Sequence, residues 1–393
     1  MNLPKTIFSF IVMLSSIQLS FSQSSTSNLP VVDLSKNYPL EKLRLQDFVT
    51  VEYVPLETTD DILLSEHANL SAVTDNYMLV YEFQLGDIYL FDRHTGKLRH
   101  HFNNKGQSGM EYSWINVGVV LDEKNKEIFV CSQYFQVYDF DGKYKRTLKK
   151  INGFDHDMTV FNYNDECLLI FDDVIIEPGW EHRTTDRPYR LISKKDGSTV
   201  SKLNICLPKR VSKSKPVYLD NNMWSKKIMG YRYNAQYGKD LMIMDISSDT
   251  LYHLSPADGS LKPVFTRTPS VFSTEPNLVW TPYMTTDKFM LFSILPLDFK
   301  NGSIPTLMYD FKTHKLRNVS LIDMELNYSI IGPRSWRSPR SSLSIEKNMV
   351  AELVPAPAML EANKKKRLLG NGSEVARNLK DDDNQVVRIL KFK

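Results

Sequence analysis

The chain has 393 residues, 42% of them hydrophobic and 24% charged, which supplies a core and excludes wholesale disorder. Its 16 glycines and 19 prolines exclude a collagen-like or low-complexity fibre. With 49 basic against 46 acidic residues, the chain lacks the basic surplus that phosphate contacts require, so nucleic acid is not expected as a partner.

Residues 1–22 read as a secretory signal peptide. Lys5 gives a positive start, Ile7 to Leu19 a mostly apolar stretch, and Ser20 and Ser22 small residues before a cut at Gln23. Ser9, Ser15, Ser16 and Gln18 break the stretch, which is short for a bilayer span. The first cysteine is Cys131, so none lies near the cut to take a lipid anchor. The expectation is a soluble exported protein, periplasmic or extracellular and not a lipoprotein, with no transmembrane segment after signal removal. Cys131, Cys167 and Cys206 allow one disulfide at most, and the apolar neighbours of the first two suggest buried strand thiols.

Val49 to Val54 alternates and reads as a strand, unassigned to any repeat. A unit then recurs, in which a central strand precedes an alternating run, a tight turn and a further short run. The central strands are expected at Tyr77–Tyr81, Glu127–Val130, Cys167–Phe171, Leu241–Met244 and Phe289–Phe292. The runs are Ile88–Asp92, Val137–Phe140, Tyr189–Ile192, Thr250–Leu254 and Leu307–Asp310. Their turns place Gly96, Gly142, Gly197, Gly259 and His314 at matching positions, spaced 46, 55, 62 and 55 residues apart. Asp-Gly at three of them supplies the positive φ a hairpin turn needs. A period near that length fits one four-stranded propeller blade.

A sixth run, Gln385–Leu390, stops without a turn or outer strand. A lone edge there would be a liability. The economical solution is that the strand at 49–54 completes the last blade and closes the ring. The predicted fold is all-β, a six-bladed β-propeller spanning residues 23–393 as one domain. Residues 356–380 carry a helical pattern and read as an insertion before the final strand. The basic run Lys364–Arg367 within it is expected to be a solvated face, partly balanced by Asp381–Asp383.

Several segments resemble a known family. Val32-Asp33-Leu34-Ser35-Lys36 followed by Val51–Thr58 looks like its N-terminal signature, and Lys105–Tyr112 is similar to its first interblade loop. Asp249–Tyr252 and Lys380–Asn384 also match family positions. The family is that of secreted six-bladed β-propellers of Gram-negative anaerobic commensals, loosely related to NHL-repeat propellers. The resemblance implies the fold and, by association, a role near glycans at the cell envelope.

No phosphate loop, nucleophile elbow or paired-histidine metal motif occurs in the sequence. Asp155, His156 and Asp157 form the best local set for a divalent cation such as Ca²⁺, with Asp172-Asp173, Glu177 and Glu181-His182 following; no cofactor is expected. The aromatic residues point to binding. Trp224, Trp280 and Trp336 are each 56 residues apart, and Trp180 precedes them in a polar loop context. With Tyr231, Arg232, Tyr233, Arg334 and Arg337 they would supply flat amphipathic faces and donors for a ligand. The competing role for such tryptophans is packing between blades.

These features predict a monomeric binding module for a glycan or an envelope partner. The alternatives are a carbohydrate-active hydrolase or lyase, a metal-dependent lactonase-like enzyme, and a protein–protein scaffold in the envelope.

Overall fold

The computed structural model describes residues 29–132, 134–148, 158–174, 185–218, 224–228, 234–237, 239–298, 305–326, 343–346 and 348–393. Residues 1–22, the expected signal peptide, lie outside that set. The first described strands, β1 (Val31–Asp33), β2 (Leu40–Arg44) and β3 (Val49–Pro55), belong to three different sheets completed much later in the chain.

Blade one is β4 (Ala68–Val73), β5 (Tyr77–Glu82), β6 (Ile88–Asp92) and β7 (Leu98–Phe102). Blade two is β8 (Gly118–Asp122), β9 (Glu127–Cys131), β10 (Phe135–Tyr138) and β11 (Tyr144–Leu148). Blade three is β12 (Met158–Asn162), β13 (Cys167–Asp172), β14 (Tyr189–Ser193) and β15 (Thr199–Lys202). A separate hairpin, β16 (Ser214–Tyr218) and β17 (Trp224–Ile228), follows. Blade four is β18 (Asn234–Tyr237), β19 (Asp240–Ile243), β20 (Thr250–Leu254) and β21 (Leu261–Thr268). Blade five is β22 (Leu278–Thr285), β23 (Phe289–Pro296), β24 (Thr306–Asp310) and β25 (Lys315–Ile322). Blade six is β26 (Leu343–Glu346), β27 (Met349–Val354), β28 (Val386–Phe392) and, from the other end of the chain, β3. The fold is a six-bladed β-propeller.

First strands of neighbouring blades touch one another, β4 with β8 and β26, β8 with β12, and β18 with β22, which puts them around the axis. The second strands are buried from end to end in β9 and β13, because each is covered by a blade on both sides. The apolar core is accordingly divided into six clusters, one at each junction between blades.

The ring closes as the alternation at 49–54 predicted. β3 pairs antiparallel with β28 over seven residues, Val49 opposite Phe392 and Pro55 opposite Val386. Two further strands were not foreseen. β1 pairs parallel with β21 and β2 parallel with β25, adding a fifth, outermost strand to blades four and five. They cover edges that would otherwise invite pairing with another chain.

All five matching turn positions take a positive φ, 69° at Gly96, 75° at Gly142, 78° at Gly197, 69° at Gly259 and 56° at His314. The helical pattern at 356–380 forms α1 (Ala356–Lys364) and α2 (Gly372–Arg377), inserted between β27 and β28. Lys364, Lys365 and Lys366 are exposed at its turn. Cys131 and Cys167 are buried free thiols, and Cys206 is free and exposed.

Candidate functional site

The two faces of the disc are built differently. On one, turns of two to six residues join first to second and third to fourth strands. Polar ties join several neighbouring blades on this turn face. Asn76 Nδ2 donates to Glu123 at 2.5 Å between blades one and two, and Lys124 pairs with Asp165 between two and three. Asp287 N donates to Asn348 Oδ1 at 2.8 Å between five and six. A buried Lys194–Asp122 pair at 2.6 Å adds a second tie between blades two and three.

The other face takes the crossings between blades and the links between second and third strands, the longest being 203–233 and 355–385. Among the described residues, the large apolar side chains exposed to water lie either on outer strands or on this connection face. On the face they include Leu85, Met110, Trp114, Tyr134 and Met324, while Leu369 lies beside the outer strand β3; the turn face carries none among the described residues.

The crossing at 103–117, between blades one and two, is the best-defined part of this face. Tyr112 is fully buried; its hydroxyl donates to Gly86 O at 2.6 Å and accepts from Asn104 N at 2.9 Å. Ile115 is buried three residues later. Met110 O accepts from the Tyr138 hydroxyl at 2.7 Å, and Glu111 O from Gln136 Nε2 at 3.1 Å. The Glu111 carboxylate accepts from Ser108 N at 2.9 Å, and that bond holds its pKa below the usual range. These bonds are made by Glu111 and Tyr112, which end the Lys105–Tyr112 segment of the family resemblance. Between these anchors Trp114 stands 56% exposed, and Tyr134 on the adjacent turn is 44% exposed. Val117 N donates to Cys131 O at 3.1 Å, so both aromatics lie within three residues of one hydrogen bond.

Trp114 was missed because it falls outside the 56-residue spacing. One member of that spacing is corrected. Trp280 lies on β22, wholly buried, stacked on Phe292 at 5.1 Å with its Nε1 donating to Ser248 O at 3.1 Å. Its position, Val279-Trp280, faces neighbouring blades rather than solvent, so it packs the junction of blades four and five. Trp224 opens β17, its backbone opposite Tyr218. Trp180, Tyr231, Arg232, Tyr233, Arg334, Trp336, Arg337, Asp155, His156 and Asp157 lie outside the described residues.

Where the remaining acids of the expected cation set are described, they are tied into the fold. Asp173 pairs with Lys213. Asp172 meets Arg210 Nη1 at 3.4 Å, while Arg210 also reaches Asp245 Oδ2 at 2.6 Å. Burial pushes the Asp172 carboxyl up to about 7, against the pull of Arg210. Among the described residues, no group of three His, Cys, Asp or Glu side chains could hold a metal ion. Among them, no helix is long and apolar enough to cross a membrane.

A second buried cluster joins blades five and six. The Arg388 guanidinium contacts Asp323 at 2.8 Å and Glu352, with Glu325 at 3.7 Å, and all four side chains are inaccessible. Burial raises the Glu325 pKa. The cluster fastens the last crossing to the final blade and offers no open position.

A family model, domain of unknown function DUF4934, matches residues 29–391. Among solved structures, a candidate exported protein from Bacteroides fragilis superposes with a TM-score of 0.57 at 12% identity, covering 90% of this chain and 99% of that one. A member of the DUF4221 family from Bacteroides vulgatus gives 0.45 at 11% identity, covering 88% and 98%. The first likeness concerns the fold alone. No curated protein matches the chain.

Proposed function

This chain belongs to the DUF4934 family, and we propose that it is an exported recognition module that holds a glycan or an envelope partner on its connection face. The observation that carries this is the asymmetry of the disc. The turn face consists of short turns joined by polar ties between several blades, whereas the connection face collects the long crossings and, among the described residues, the exposed apolar side chains that lie off the outer strands. A rigid ring presenting variable connections on one side is a scaffold for recognition. Export is supported by the signal-like pattern of residues 1–22.

The buried charges support binding over chemistry at the described sites. Asp172, Asp173 and the acids around Arg388 are engaged in holding crossings to blades. The module acts as a monomer, in the periplasm or outside the cell.

The test is a thermal-shift screen of the purified protein against polysaccharides, their oligosaccharides, Ca²⁺ and EDTA, with affinity capture from envelope extract alongside. A saturable rise in Tm with one glycan, or specific capture of one envelope component, supports the proposal, since a ligand that prefers the native state stabilises it. Absence of both refutes it. Turnover of the bound glycan would move the assignment to an enzyme.

A further inference from the structure

We infer that Trp114 and Tyr134 form a stacking platform for a neutral glycan, an assignment that rests on the recognition role proposed above. An indole held in water on a loose loop would lose much of its binding energy to ordering. Trp114 is not on a loose loop. Tyr112 is buried two residues before it and Ile115 one residue after it, so its position is fixed before any ligand arrives. Tyr134 is carried by the turn between β9 and β10, where Ser132 N donates to Tyr134 O at 3.2 Å.

The polar groups beside Trp114 indicate the ligand class. Ser113 and Asn116 flank it and are exposed, with Gln107 and Ser108 further along the same crossing. These are neutral hydroxyls and amides, the groups that match sugar hydroxyls. The charged side chains of the crossing are already occupied: Lys105 Nζ donates to Gln84 O at 2.6 Å and Glu111 caps Ser108. A flat apolar plane with a polar edge, in a crossing whose other exposed polar groups are mostly neutral, fits a hexose or pentose ring better than an anionic polymer.

The experiment compares the wild type with Trp114→Ala and Tyr134→Ala by affinity electrophoresis and calorimetry. The probes are glucan, xylan and mannan, each with its oligosaccharides, and polygalacturonate as the anionic contrast. The assignment expects saturable binding of a neutral glycan, weakened about tenfold or more by Trp114→Ala with Tm unchanged, because the side chain is half in water. Equal affinity in Trp114→Ala overturns the platform and leaves the recognition role standing. Binding of polygalacturonate alone, or capture of an envelope protein that Trp114→Ala abolishes, overturns the neutral-glycan class but not the role of the face. Failure of every neutral glycan overturns the assignment. The recognition role falls with it only if envelope extract yields no partner either.

Discussion

Tyr53 donates its hydroxyl to Glu325 Oε1 at 2.9 Å, across 272 residues of chain. Tyr53 sits in the closing strand β3, opposite Arg388 in the ladder. Glu325 lies just beyond β25, at the start of the crossing to blade six. Its Oε1 also accepts from Leu369 N at 2.6 Å, and Asn371 makes two bonds to the Tyr53 backbone. The N-terminal strand, the last crossing and the helical insertion therefore share one buried knot, and a ladder alone does not describe the closure.

Removing residues 48–54 should open the ring. The deleted chain leaves β28 as a bare edge and strips Arg388 and Glu325 of cover. The expected result is loss of the single cooperative melt, read by circular dichroism. A variant that melts at the wild-type temperature with full β content sinks the closure argument.

Arg388→Met leaves Asp323, Glu325 and Glu352 buried without their shared cation. Stability should fall by about 3–5 kcal/mol. Tyr53→Phe removes one hydrogen bond from the same knot and should cost about 1–2 kcal/mol. Urea titration of both gives the comparison, and equal losses would mean that the guanidinium is not the centre of the knot.

Asp172 gives a pH signature with a definite sign. Its folded pKa, about 7, lies above the ordinary aspartate value of 3.8, so between those values the folded state binds the extra proton. Stability from this group therefore falls as pH rises through that window. The groups facing it are Arg210, Asp173 and Arg190, with Asp245 beyond Arg210. Relative to the wild type, Asp172→Asn should gain stability between pH 5 and pH 8, because the wild-type carboxyl loses its stabilising proton over that range. The check is the difference in Tm between mutant and wild type across that range: it should shift in the mutant's favour with rising pH, and a flat difference contradicts the assignment.

Gly96 and Gly259 occupy the same turn position with the same φ of 69°. A Cβ on Gly96 would lie 1.8 Å from Pro55 O, at the end of the closing strand, whereas one on Gly259 meets nothing within 4 Å. Gly259→Ala should cost only the backbone strain, about 1 kcal/mol. Gly96→Ala should cost more than about 3 kcal/mol, because backbone must move. Equal costs in chemical denaturation would show that the turn, not the contact, sets the penalty.

The ring was legible because its unit is local. Alternation, a turn and a further run lie within one blade, and the orphan strand at 49–54 had one obvious vacancy to fill. β1 and β2 were not legible, since three and five residues paired parallel with strands far along the chain leave no local signal. Spacing misled at Trp280, where repetition reflected a packing position rather than a shared ligand face. Arg388 stood out in no sequence pattern, and only the fold reveals three acids converging on it. Trp114 was hidden for the opposite reason, because its exposure depends on the burial of Tyr112 and Ile115 on either side.

β1, β2 and β3 lie in chain order along blades four, five and six, like a strap drawn round half the rim. None of the three can seat until the strands it pairs with exist, and the last of them waits for Lys393, whose N–H donates to Phe48 O at 2.9 Å. A chain that emerges from a membrane N-terminus first thus delivers its fastener before it has anything to fasten. β1 can seat once β21 exists and β2 once β25 exists, but β3 must stay unpaired until β28 follows, so the final closure is governed by the arrival of that strand.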